Sequence, residues 1–401
     1  MARTIFSSGA RHLIRRLMVI STTGILSVSL GAFALAPRAD ASEPNHNGPQ
    51  GIDHAVFVQT NDSAGNAVIA YARANDGSLH WDAQYPTGGL GGAEAGAVVD
   101  PLASQGSLTY DAHDHLLFAV NAGSDTFTVF DVEGAHLHRL QVVSSRGHLP
   151  TSISVVGRHL YVLDAGNDGA IAGFWIDGAR HVHSIGGSTR SLGLGNPANP
   201  NFLASPSQVA ITPDGRDVVV ATKTHGVLDV FALDHFGVPT AAPVVTTSAG
   251  GVPFGLSYDA LGRLIVAEAS GGASSYFVHP NGALVTISSH VANAQAATCW
   301  SVIAKGFIYT ANAGSNTITG YAENSAGQLS LLNADGVTAT TDAGPVDLAA
   351  SADGRYIYQQ ATGAGVIDEF SVNANGSLTQ IGTVTGLAPD NGTGFEGIAA
   401  S

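Results

Sequence analysis

The chain has 401 residues, with 16 Lys and Arg against 31 Asp and Glu, 50 Gly, one Cys and 44% apolar residues. That apolar content can bury a large core and excludes wholesale disorder, and the glycines lack the three-residue period of collagen. A single Cys excludes a disulfide framework and the Cys-rich zinc sites.

Arg3, Arg11, Arg15 and Arg16 precede an apolar run from Leu17 to Ala36, and Ala39-Asp40-Ala41 follows. A basic head, an apolar middle and a small-x-small end predict a secretory signal over residues 1–41, cleaved after Ala41. An uncleaved anchor is the alternative reading, because the run is nearly long enough to cross a bilayer. The Arg15-Arg16 pair leaves general and twin-arginine export both open. Without residues 1–41 the chain keeps 11 basic and 30 acidic residues, a formal charge of −19. A surface this acidic repels nucleic acid and anionic membrane, so neither is an expected partner. The expected location is secreted, periplasmic or in the cell envelope. Residues 42–53 are polar and rich in Pro and Gly, as in a short linker.

From residue 54 onward the chain repeats itself. PSQVAITPDGRDVVVAT from Pro206, PFGLSYDALGRLIVAEA from Pro253 and PVDLAASADGRYIYQQA from Pro345 share one frame, which also fits segments from Gln105, Pro150, Cys299 and Phe395. Each unit holds four short β-type runs separated by turns such as Asp214-Gly215, Asn281-Gly282 and Asn375-Gly376. Asp-Gly and Asn-Gly between alternating runs are strong hairpin signals. Four strands in each unit of about 45–50 residues predict an all-β propeller of four-stranded antiparallel blades. The segment 54–86 lacks a first strand, and 395–401 is a first strand with nothing after it. Together they complete one blade, so residues 54–401 form seven blades in a ring closed by the two chain ends.

Strand direction brings the starts of the first strands and the ends of the second strands to one mouth of the central channel. Gln105, Thr151, Ser207, Gln208, Phe254, Trp300, Asp347 and Glu396 converge there with Asn121, Asp164, Lys223, Glu268, Asn312 and Gln360. The long connections 88–104 and 190–205 are expected to form rims or lids over it. Asn121, Asp164 and Asn312 fit residues that cap their own turns. Glu268 cannot make that compact turn, and Lys223 is one of two lysines in an acidic chain. Near Trp300 or Phe254, Glu268 would be desolvated toward a pKa useful for acid/base work. The pairs His113/His115, His136/His138 and His181/His183 have metal-like spacing, but the last two fall on outer strands, where exposed-edge substitution explains them. Cys299 reads as a small buried hydrophobe.

First strands opening on Pro, Asp-Gly-Arg turns and second strands ending in Ala311-Asn312-Ala313-Gly314-Ser315 together resemble the lactonase-type seven-bladed propeller family. That family includes bacterial 6-phosphogluconolactonases and fungal carboxymuconate-lactonizing enzymes. The resemblance covers residues 54–401 and implies a site where His, Glu and Arg act on an anionic lactone. Here the openings with His or Arg read Pro150-Thr151, Pro253-Phe254 and Pro206-Ser207-Gln208, and the Asn-Glu aligns with Thr222-Lys223. An anionic lactone then has little to pair with.

The expectation is an exported hydrolase of a neutral or weakly charged lactone, without a cofactor. Glu268 would be the general base, and Lys223 and Gln208 would stabilise the oxyanion. Trp300, Phe254, Asp347, Glu396, Asp164, Thr151 and Ser207 would line the substrate. Two other readings stand beside it. One is a non-catalytic extracellular propeller that binds a sugar, peptide or envelope component. The other is a calcium-dependent lactonase with Asp164, Glu268, Asp347 and Glu396 as ligands.

Overall fold

In the computed structural model, residues 54–388 and 394–401 are described, and the predicted signal and linker lie outside them. The described chain is all β. Seven antiparallel sheets follow one another round a ring, and one 3₁₀ turn at Ala122–Ser124 is the only helical element among the described residues.

The ring closes as the half-blades predict. Ala55–Gln59, Ala67–Arg73 and Leu79–Pro86 form three strands of one sheet, and Ile398–Ala400 supplies its innermost strand. The register pairs Val56 with Ala400, Phe57 with Ala399 and Val58 with Ile398. Gln59 N donates to Gly397 O, and Ser401 N to Ala55 O. Closure leaves no open inner edge at which another chain could pair.

Second strands are the most deeply buried elements. Leu116–Asn121, Asp217–Thr222 and Tyr356–Ala361 are buried at every residue. Both faces of such a strand meet a neighbouring blade, so it reads as a continuous apolar run rather than an alternating one. Between blades two and three, Leu116, Phe118 and Val120 pack with Leu160, Val162 and Phe174. Phe127 meets Phe174 edge to face at 5.1 Å.

One anchor shifts. The innermost strand of the second blade is Leu108–Asp111, so Gln105 belongs to the connection before it. The other inner strands, Pro150–Val156, Pro206–Ile211, Pro253–Tyr258, Thr298–Ala304 and Pro345–Ala350, start within a residue of the sequence anchors.

Candidate functional site

The expected mouth is closed. Residues 88–105 run across it as a strap. Asn61 exchanges hydrogen bonds with Gly92 through both ends of its amide, at 2.8 and 3.0 Å, and a Cβ on Gly91 would collide with the Asn61 backbone. Ala95 pairs with the second long connection, donating to Pro200 O and accepting from Phe202 N. Thr362 donates to Val99 O on one side of the ring and Trp300 Nε1 to Ser104 O on another. Gln105 then bonds across the axis, its amide joined to Ser301 O at 2.7 Å and Ser301 N at 2.9 Å.

Beneath the strap lies a buried charged cluster. Lys223 Nζ donates to Ala103 O at 2.7 Å and stands 3.5 Å from Glu94 Oε2, with both side chains out of solvent. Ser205 Oγ donates to the same Glu94 oxygen. An ion pair alone would lower the Glu94 pKa and raise that of Lys223. Burial outweighs pairing for both: Glu94 is pushed up to about 8 and Lys223 is pushed down. Asp100 accepts backbone N–H bonds from Leu102, Ala103 and Ser104. Its carboxyl lies against that of Glu396, and two such carboxyls out of solvent favour keeping a proton between them. Burial raises both carboxyls. Asp347 is pushed up to about 8, first by burial and then by Asp100, although backbone N–H groups of Leu348, Gly106 and Ile398 oppose the rise. Burial drives the Cys299 thiol up to about 12, so it is inert at neutral pH.

The residues singled out from sequence divide among several roles. Lys223, Trp300, Phe254, Asp347 and Glu396 do gather near the axis. The Phe254 and Trp300 rings meet at 5.0 Å, and Lys223 Nζ lies 5.6 Å from the Phe254 ring centre. They form the seat of the strap rather than an open pocket. Gln208 is committed to Leu256, accepting from its N–H at 2.5 Å and donating to its C=O at 3.2 Å. Ser207 donates to Phe254 O at 3.0 Å. Thr151 is fully buried, and its carbonyl accepts from Ser104 Oγ.

Glu268 departs most from expectation. Its neighbours are those of a turn on the outer side of the strand, not the two aromatic rings. Oε1 accepts from Ser248 Oγ at 2.7 Å, Gly250 N at 2.7 Å and Ser274 Oγ at 3.0 Å, while Oε2 meets His290 Nδ1 at 2.8 Å. Fully buried and committed to four partners, this carboxylate reads as a structural group rather than a base open to water. Asp164 occupies the matching place two blades earlier and is also apart from the axis. Neither of its oxygens has a hydrogen-bond partner. Burial lifts it to about 7, and Ser145 is near enough to ease that shift without satisfying either oxygen. The four carboxylates considered for calcium therefore do not converge. Among the described residues no three His, Cys, Asp or Glu side chains form a metal-holding group. His183 is bonded to Asp177 at 2.9 Å and stacked on Trp175.

The other end of the channel is open. There a cavity of about 440 Å³ lies among the inner strands, with Gln105, Gln208 and Asp347 among its lining groups. That volume suits a small ligand. Thr109, Ser154, Ser257 and Tyr258 are the hydroxyl-bearing residues of a lining otherwise made largely of Val, Ile, Leu and Ala, and it contains no Lys, Arg or His. The Tyr258 hydroxyl is buried with no partner, and burial holds the phenol protonated. Sequence reasoning missed Glu94, Asp100 and Tyr258. The one available signal was that Glu94 and Asp100 are the only charges in the Gly/Ala-rich stretch 87–104.

No protein-family model matches the chain, and no curated protein matches it in sequence. Solved structures do match. A protein from Lactobacillus plantarum superposes with a TM-score of 0.67 at 15% identity, over 87% of this chain and 99% of the other. The periplasmic gluconolactonase of Pseudomonas aeruginosa gives 0.62 at 18% identity, over 86% and 98%. A proposed 6-phosphogluconolactonase from Bacteroides uniformis gives 0.64 at 16%, over 84% and 97%. The fold is that of the lactonase-type seven-bladed propeller, in a divergent sequence.

Proposed function

We propose that this protein is an exported lactonase-type propeller that hydrolyses an uncharged lactone in the open channel cavity, with Asp347 as its acid/base group. The observation that carries the reading is the Asp347 carboxyl, set in the lining of a cavity that has no cationic residue. Such a lining offers nothing to a phosphate or carboxylate but suits a neutral, hydroxyl-bearing ring. The gluconolactonase with the same fold is named for a lactone of this uncharged kind. Export rests on the basic, apolar and Ala-x-Ala pattern of residues 1–41.

The chemistry follows from the two groups. As a carboxylate, Asp347 takes a proton from water while the water oxygen bonds to the lactone carbonyl carbon. The Tyr258 phenol, lacking a partner of its own, donates to the oxygen that gains charge. The ring C–O bond then breaks, and Asp347 returns the proton to the departing alkoxide. The product carboxylic acid ionises, and a chain of net negative charge favours its departure. The active form of Asp347 is ionised, so kcat/KM rises with pH and levels off above about 8.

The test is turnover of a panel of uncharged aldonolactones by purified residues 42–401, beside Asp347→Asn and Tyr258→Phe. Loss of turnover in Asp347→Asn, with unchanged thermal unfolding, supports the assignment; retained turnover refutes it. The closed expected mouth favours a second reading, a binding propeller without catalysis. It predicts saturable binding of such rings with no ring opening by the parent protein.

A further inference from the structure

The strap carries two acids into a site already holding two more. Asp100 and Glu94 come from the strap, Glu396 from the segment before the closing strand, Asp347 from the seventh blade, Lys223 from the fourth and Cys299 from the sixth. These are the titratable groups that face one another from the packed elements. Four carboxyls share one ammonium, and all are out of solvent. Fully ionised, the cluster would hold a net charge of about −3 in a dry environment, which bare proximity cannot stabilise. The seated strap must therefore hold protons that its acids would release into water.

We propose that the strap over residues 88–105 is a pH-released plug, seated across the channel while this cluster holds its protons and freed when the cluster ionises. The sign follows from linkage. Glu94 and Asp347 rise to about 8 in the seated state, and Asp100 and Glu396 rise with them. A raised carboxyl stabilises the seated state least where the free acid is ionised, so seating weakens from the ordinary carboxylate range up to about pH 8. Burial shifts Lys223 in the opposite sense, but one amine stands against four acids and its window extends toward the ordinary amine range.

The strap can move without dismantling the ring. It contributes no strand to any of the seven sheets. It is held by hydrogen bonds, at Asn61, Thr362, Trp300 and Lys223, at Ser205, Thr151 and Ser301, and through backbone groups of Asp62, Asn66, Gly123, Pro200, Phe202 and Ser207. Its last residue, Gln105, is part of the cavity lining. Release would therefore join the cavity to the far face and open the channel from end to end. This inference concerns access to the same channel, but its test needs no turnover and so stands apart from the proposed hydrolysis.

Trp300 reports on seating, because its indole N–H is bonded to Ser104 O and the side chain is 2% exposed. Trp81 and Trp175 are 66% and 40% exposed. Trp81→Phe with Trp175→Phe thus leaves one reporter. Acrylamide quenching of this protein should be weak at pH 6 and several-fold stronger at pH 9, reversibly, with the far-UV spectrum and the urea midpoint still those of a folded ring. Glu396→Gln, which keeps a neutral partner for Asp100, should move the transition to higher pH. Lys223→Met, which removes the only cation, should move it lower. Equal quenching at both pH values overturns the proposal. Exposure of Trp300 only together with unfolding of the ring overturns it too.

Discussion

Glu268→Gln separates a structural carboxylate from a catalytic one. In the parent, four donors converge on the side chain, and three of them, Ser248 Oγ, Gly250 N and Ser274 Oγ, share one oxygen. The amide oxygen of Gln can keep those three, and its NH₂ can donate to His290 in the tautomer with a free Nδ1 lone pair. What is lost is the charge on the acceptor. Hydrogen bonds to a charged group contribute about 1.5–3 kcal/mol and neutral ones about 0.5–1.5. Across four bonds, discounted at the partly exposed His290, the loss comes to about 3 kcal/mol. Glu268→Ala instead strands buried donors and should cost about 5 kcal/mol. Urea unfolding at pH 7 measures both, with lactone turnover normalised to folded protein. The expected result is a lower midpoint in both variants and unchanged turnover per folded molecule in Glu268→Gln. A Glu268→Gln protein with the parent midpoint and no turnover would refute this reasoning and restore Glu268 as the base.

Asp164→Asn should do the reverse. The Asp164 pKa is raised to about 7 in the fold, so the stability its proton gives is lost between the ordinary carboxylate range and that value, and the variant should gain about 1–3 kcal/mol at pH 8 but little at pH 4. Thermal unfolding at the two pH values checks this, and an equal gain at both counts against it. Gly397→Ala should destabilise by about 2 kcal/mol or more, because its φ is +82° and a Cβ would press on Ser107 and stand 2.9 Å from Leu108. An unchanged urea midpoint would show that ring closure tolerates a shift there. For Asp347, kcat/KM plotted against pH should climb to a plateau above about 8; a profile flat from pH 5 to 9 removes Asp347 from the proton transfers.

The ring was legible because its information is local and written seven times. Each Asp-Gly or Asn-Gly turn sets a hairpin by itself, and the two incomplete ends state how the circle closes. The second-strand ends show where that legibility stops. Asn121 donates to Thr126 and Thr128, and Asn312 to Thr317 and Thr319, at the same offsets of five and seven residues. Those threonines are visible in the sequence, so the capping role could be inferred. Glu268 has only Ser274 at a comparable offset. Its other partners, Ser248 and His290, come from the connection before its blade and from the outermost strand, and no spacing rule reaches them.

The same limit explains why the expected mouth and the open cavity lie at opposite ends of the channel. Strand direction does place Lys223, Trp300 and Glu396 at one end, and a propeller's inner strands alone would leave that end open. Whether a 17-residue connection borders the opening or crosses it depends on where its side chains find partners. In an irregular segment no periodicity encodes that. Two acids in an otherwise uncharged stretch were the available clue. Read as surface charges they predict a solvated rim. The structure instead sends them inward to one of the two lysines of the chain. An ion pair buried at such desolvation cost adds little stability in itself, but it fixes which way the strap faces. A reading that treats each charge as exposed unless paired within its own strand will miss this arrangement wherever the partner lies more than a hundred residues away, as Glu94 and Lys223 do.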